Sequence, residues 1–297
     1  MEKIIVSGAG GFIGQYVVSA LLDRGYEVIA LIHKNTLKKR KNLKVVSKDI
    51  CDDSFVNDIV NYVDSCDAVI HLAADISMQV KECVIDTNCI GTLHMIQISN
   101  FFSAKSFIFM SSIPVIGIPE RIPITEQHPI RPRTLYHVTK YAGEHMVECL
   151  CKKNTKTVII RISSPIGAGM NQKNYLSMLL DCCMNQLPIE IYGRGSRVQN
   201  YIDVRDVSDF VADVLQENIN GVYLIAGKKS VSNLKLAYLC RELTGSASKI
   251  RLGKMPDPAD DIKWIISCEK AEREAGFSPG YTLEQTIRWV SEEWLKI

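Results

Sequence analysis

The chain has 297 residues, 46% apolar and 23% charged, the make-up of a globular protein with a sizeable core and room for two closely joined lobes. A net charge of +2 and a pI near 8.0 are too close to neutral to argue for nucleic acid or an anionic membrane as partner. Ten cysteines are scattered, with Cys149/Cys151 and Cys182-Cys183 the only close pairs and no Cys/His cluster at zinc spacing, so no metal site is expected.

No basic leader precedes the first apolar run, and no run is long enough to span a bilayer, so a cytoplasmic protein with reduced thiols is expected. Ile4-Ile5-Val6 reads as a strand buried on both faces of a parallel sheet. The turn Gly8-x-x-Gly11-x-x-Gly14 follows at once. Ile13, Val17, Val18, Leu21 and Leu22 then form a helical stripe that Gly25 ends. A glycine turn between a strand and a helix N-terminus offers free backbone N–H groups and the positive end of a helix dipole to a pyrophosphate. This stretch is therefore expected to cradle a dinucleotide, with Gly8, Gly11, Phe12, Ile13 and Gly14 around it.

The second strand, Glu27 to Ile32, ends where a cofactor ribose would sit. An acid there would bond the 2′-OH of NAD, but this chain has Ile32, followed by His33 and Lys34, and NADP is favoured over NAD. A third strand at Lys44–Ser47 leads to Asp49-Ile50, a helix is expected over Phe55–Val63, and a fourth strand ends in Leu72-Ala73-Ala74. A long helix from about Val80 to Asn100 carries Asn88. Such alternation predicts an α/β fold, a doubly wound parallel (Rossmann) sheet with ligands at the carboxyl ends of its strands.

The fifth strand, Phe107 to Ser112, ends in two hydroxyls. Tyr136 and Lys140, at i and i+4, share one face of the helix that follows. A tyrosine serves as a base only if its pKa falls from about 10, and a nearby ammonium has the sign to lower it. Beyond Pro165 the pattern reads as a smaller mixed substrate lobe. It has a helix at Leu176–Cys183, a strand near 222–226 returning to the first sheet, and closing helices from about Glu269 and Leu283. The expected division is 1–164, binding the dinucleotide, and 165–297, mostly binding substrate.

Together these residues resemble the extended short-chain dehydrogenase/reductases, also called the NAD-dependent epimerase/dehydratase family, over nearly the whole chain. The glycine turn matches the family's cofactor loop, Asp49-Ile50 its adenine contact and Leu72-Ala73-Ala74 its fourth-strand motif. Ser111-Ser112-Ile113-Pro114-Val115-Ile116-Gly117 is similar to its Ser-Ser-x-x-Val-Tyr-Gly, and Tyr136-x-x-x-Lys140 to its catalytic pair. Arg161 to Gly167 looks like the strand entering the substrate lobe, Tyr201 to Val207 like its Phe-Ile-x-Val-x-Asp-Val, and Gly276 to Pro279 like its Leu-Gly-Trp-x-Pro junction. The resemblance implies that Tyr136 is the general acid/base and that Ser112 bonds the same substrate oxygen. It implies that Lys140 lowers the pKa of Tyr136 and holds the nicotinamide ribose, and that the substrate is a nucleotide-linked sugar.

Departures narrow the reaction. Ile113 and Pro114 stand where 4,6-dehydratases carry an Asp-Glu pair, and neither can move a proton. Gln199 replaces a phosphate-holding arginine, for which Arg194 or Arg197 could substitute, and near Gly253 to Asp257 only Lys254 offers a cation. Ser163 is a further candidate substrate contact. The leading expectation is an NAD(P)-dependent epimerase or ketoreductase acting at C4 of a nucleotide-sugar, with a homodimer possible and neither nucleic acid nor membrane as partner. An NADPH-dependent reductase of a non-sugar carbonyl and a non-catalytic dinucleotide-sensing regulator are the alternatives.

Overall fold

The computed structural model describes residues 2–77, 81–172 and 174–294. The first half alternates strand and helix: β1 (Lys3–Ser7), α1 (Phe12–Asp23), β2 (Glu27–Ile32), β3 (Leu43–Ser47), α2 (Phe55–Tyr62) and β4 (Ala68–His71). After a short α3 (Glu82–Ile85) and a π-helical turn (Asp86–Ile90) come α4 (Gly91–Phe102), β5 (Ser106–Ser112), a 3₁₀ turn (Ile113–Ile116), α5 (Leu135–Leu150) and β6 (Lys156–Ile162). The second half holds β7 (Ser164–Ile166), α6 (Tyr175–Met184), β8 (Ile189–Ile191), β9 (Val198–Asp203), α7 (Val204–Asp213) and β10 (Gly221–Ile225). It closes with β11 (Ser230–Ser232), α8 (Asn233–Leu243), β12 (Ile250–Leu252), α9 (Glu269–Ala275) and α10 (Leu283–Trp294).

Seven strands pair in parallel in the order β10-β6-β5-β4-β1-β2-β3. Such a sheet must be covered on both faces, and β1 shows how: Ile4 and Val6 enter a core with Val17, Leu21 and Val207, while Ile5 enters the opposite core with Phe55, Ile59 and Met95. Strand order reverses between β1 and β4, which opens a crevice at their carboxyl ends. The strand expected near 222–226 is β10, seated beside β6 at the sheet's edge. Around a third core, which includes Leu176, Leu180, Leu236 and Ile287, lie two small sheets, β11-β9-β7 and β12-β8.

The helix expected from about Val80 to Asn100 is present from Glu82 to Phe102 as one unbroken run of α3, the π-helical turn and α4, and Val80 lies outside the described residues. Asn88 sits in the π-helical turn, its side chain accepting from the Asp75 amide (2.8 Å) and donating to the Asp75 carbonyl (3.0 Å) and Thr139 Oγ1 (2.9 Å). An extra residue in the turn accommodates a side chain held on both sides, where π-bulges are commonly found. Among the described residues no helix is long and apolar enough to cross a membrane.

Candidate active site

The glycine turn is built for close approach. Gly8 has φ +68°, and a Cβ there would lie 2.6 Å from the Ala73 amide nitrogen, so only glycine lets β1 end against β4. A Cβ on Gly14 would lie 2.2 Å from the Gly8 carbonyl oxygen, which fixes how tightly α1 packs on the turn. Gly11 donates to that same carbonyl (2.9 Å) and caps α1 with no side-chain partner, which leaves the helix N-terminus at Phe12 and Ile13 without a capping group.

Beside the turn lies a cavity of about 500 Å³, lined by Gly8 and Gly11, by Ile32, His33 and Lys34 after β2, by Asp49 and Ile50, and by Leu72, Ala73 and Ala74 after β4. A glycine cradle, an uncapped helix end and a cleft of this kind fit the phosphates and adenosine of a dinucleotide. Ile32 is buried, His33 Nε2 lies 3.5 Å from Asp49 Oδ2, and Lys34 is exposed. Within the basic run, Arg40 turns away to Asp23 (2.6 Å) and Ser19 (2.8 Å). Sequence reasoning missed Asn35, which lines the cavity and donates to the Gly10 carbonyl at 2.8 Å. An amide side chain in a loop carries no signal of its own in the sequence.

Ser112, Tyr136 and Lys140 lie outside the lining of that cavity. Ser112 ends β5 and Tyr136 sits in the first turn of α5, which Thr134 caps by accepting from the His137 amide (3.2 Å). The hydroxyls of Ser112 and Tyr136 have no partner among the described residues, as groups awaiting a substrate oxygen would not. Lys140 is buried, its Nζ 4.2 Å from the centre of the Phe109 ring. Asn88 joins the two regions, through Asp75 on the cavity wall and Thr139 on α5.

The electrostatics correct one expectation. Burial pushes the Tyr136 phenol up to about 12, opposite to the lowering expected from Lys140, while burial brings Lys140 down to about 8. In this state the phenol is a proton holder, and a further positive charge beside it is needed to make it a base. Behind the pair, Glu144 accepts from Ser111 Oγ and takes Arg161 in a fork, Nε to Oε1 at 2.9 Å and Nη2 to Oε2 at 2.6 Å, all three buried. This network locks α5 to the ends of β5 and β6. Sequence reasoning missed it, although charged residues inside apolar stretches were its visible signal.

In the second lobe the nominated residues divide. Arg194 is engaged at the surface: its Nε lies 3.1 Å from Asp260 Oδ2 and Nη2 reaches Asp261. Gln199 lies beside the Tyr201 hydroxyl but gives its amide to Asn233 Oδ1 (2.8 Å). Ser163 Oγ, Arg197 Nε and the Tyr175 hydroxyl are buried without a hydrogen-bond partner among the described residues, and the buried Tyr201 hydroxyl has only Gln199 beside it.

The putative UDP-glucose 4-epimerase of Methanocaldococcus jannaschii is 28% identical over 306 residues, covering 99% of this chain and 98% of its own. A dTDP-glucose 4,6-dehydratase of Streptomyces niveus is 26% identical over 314 residues, covering 97% and 92%. The crystal structure of UDP-glucose 4-epimerase from Thermotoga maritima with UDP-glucose superposes with a TM-score of 0.91 at 25% identity over 99% of each chain. The family model for NAD dependent epimerase/dehydratase matches residues 4–226, from the strand before the glycine turn to the end of β10. With that match taking in the cradle, the β5 hydroxyls and the Tyr136 helix, the chain belongs to the NAD dependent epimerase/dehydratase family.

Proposed function

We propose that the protein epimerises C4 of a nucleotide-linked sugar, using an NAD(P)-type dinucleotide held by residues 1–164, with most of 165–297 binding substrate. The observation that carries this reading is the pair of unpartnered hydroxyls, Ser112 and Tyr136, at the carboxyl edge of a sheet whose crevice holds the glycine cradle. Tyr136 takes the proton of the C4 hydroxyl and returns it to the same oxygen, Ser112 donates a hydrogen bond to that oxygen, and Lys140 holds the nicotinamide ribose. What the dinucleotide supplies when bound is a reversible hydride store and, when oxidised, a positive charge that draws the phenol's pKa down. Ile113 and Pro114 beside Ser112 carry no transferable proton, which argues against dehydration. The names of the relatives, UDP-glucose 4-epimerases, support UDP-hexose as the substrate to try first.

Within the same reading, Arg197, close to Tyr175 and Tyr201, replaces the arginine missing at Gln199 as the partner of a substrate phosphate, and Ser163 at the end of β6 is a separate substrate contact. NADP is preferred over NAD, because Ile32 offers no acceptor to a 2′-OH and Lys34 stands exposed at the lip, with Asp49 as a neighbouring counter-charge. A charge-assisted contact contributes about 1.5–3 kcal/mol, roughly tenfold to a hundredfold in affinity, and Ile32→Asp should reverse the preference by that order. Calorimetric titration of both dinucleotides checks it, and a wild type that binds NAD more tightly contradicts it. A homodimer through exposed Ile85, Ile90 and Val138 on neighbouring helices completes the proposal.

The test is incubation with UDP-glucose, with product analysis and cofactor absorbance followed together. UDP-galactose formed with no net change in reduced dinucleotide supports epimerisation. Consumption of reduced dinucleotide matched to product would instead identify a reductase.

A further inference from the structure

A continuous line of buried groups runs from the glycine cradle to the helix of Tyr136 and Lys140. Ser7 and His71 end β1 and β4 and face each other in register. The Ala73 amide lies 3.4 Å from Ser7 Oγ, Ser7 Oγ 2.6 Å from His71 Nδ1, and His71 Nε2 2.9 Å from Thr92 Oγ1. The Thr92 hydroxyl donates to the Asn88 carbonyl (2.7 Å), Asn88 Nδ2 to Thr139 Oγ1 (2.9 Å), and the Thr139 hydroxyl to the Tyr136 carbonyl (2.9 Å).

A carbonyl cannot donate, so the one proton of Thr92 goes to Asn88, and Thr92 must accept from His71 Nε2–H. Complete burial, with the Lys140 ammonium nearby, holds His71 well below the usual imidazole range, so the ring is neutral; with its proton on Nε2, Nδ1 accepts from Ser7, whose oxygen is left to accept the Ala73 amide. Ala73 is also the residue against which Gly8 closes, so the line begins on the wall of the cradle itself.

We propose that His71 is a positioning residue, the centre of a hydrogen-bonded line through which dinucleotide binding in the cradle and placement of the Tyr136–Lys140 helix form one equilibrium. Buried bonds of this kind act as a unit: breaking any link leaves unpaired groups at that point and uncouples the two ends. The inference rests on reading Tyr136 and Lys140 as the catalytic pair.

Because His71→Phe risks the fold, three near-isosteric variants carry the test: Ser7→Ala, Thr92→Val and Thr139→Val. Dissociation constants for NADP(H) and NAD(H) are measured by calorimetry on each variant and on the Ser7→Ala/Thr139→Val double variant. Each single change is expected to weaken binding about fivefold, and the double variant to be no weaker than its worse parent within about twofold. Thr92→Val, which cuts the line in the middle, should cancel any further effect of Thr139→Val and lower kcat for UDP-glucose about tenfold, with KM within about twofold. Effects that multiply, or a lowered Tm with dinucleotide affinity and kcat intact, would overturn the coupling. A wild type that binds neither dinucleotide would overturn the reading of the site itself, and the coupling with it.

Discussion

Around the crevice, Ser7, His71, Thr92, Asn88 and Thr139 are buried with hydrogen bonds running from one to the next. In the second lobe the Tyr175 hydroxyl and the Nε of Arg197 are equally shut away from solvent with no partner among the described residues, as is Ser163 Oγ where β6 ends, and the Tyr201 hydroxyl has only the Gln199 side chain beside it. An unmade buried hydrogen bond costs about 1–3 kcal/mol, so a cluster of them is tolerated where a ligand supplies the partner. Along the crevice the buried line is hydrogen-bonded from end to end, with Ser99 Oγ on α4 the exception nearby, whereas in the second lobe the open buried groups gather around Tyr175, Tyr201 and Arg197.

The first way to sharpen that contrast is at the reacting oxygen. Tyr136→Phe removes the transferable proton while leaving the satisfied scaffold untouched. Turnover should fall by about 10²–10⁴, with dinucleotide affinity unchanged within about threefold. Near-normal turnover would remove Tyr136 from the chemistry.

A second change attacks the scaffold. Arg161→Met strands the buried Glu144 carboxylate beside Ser111, a loss of about 3–5 kcal/mol, read as a lowered urea midpoint. A loss under about 1 kcal/mol would show that this fork is not what holds α5 to the sheet.

The smallest effect lies in the unfinished lobe, where two arginines three residues apart should behave differently. Arg197→Met should raise the KM for UDP-glucose about tenfold by removing a charge-assisted contact, while Arg194→Met, already matched by Asp260 and Asp261, should leave it within about twofold. Equal effects, or a larger one at Arg194, would erase the distinction between committed and uncommitted cations.

How much of this was legible in the sequence follows the same division. The β1 strand, its glycine turn and α1 are contiguous, so local periodicity and turn chemistry specify them; the strand that became β10 was readable from its apolar run, and its return to the sheet from the family resemblance. Interactions between distant residues were not: Ser7 meets His71 across 64 positions and Arg194 meets Asp260 across 66. The π-helical turn at Asn88 escaped because helical periodicity registers the apolar face and not where a polar side chain is held. The direction of the Tyr136 shift escaped because i and i+4 spacing gives neighbourhood on a helix but not depth of burial, and burial dominates.

The central claim, that one site takes a hydride from C4 and gives it back to C4, is tested most directly with UDP-glucose deuterated at C4. The account predicts UDP-galactose that retains the deuterium at C4, with none passing to solvent and no exogenous dinucleotide consumed. Product that has lost the label to solvent, or label found in released dinucleotide, would contradict it.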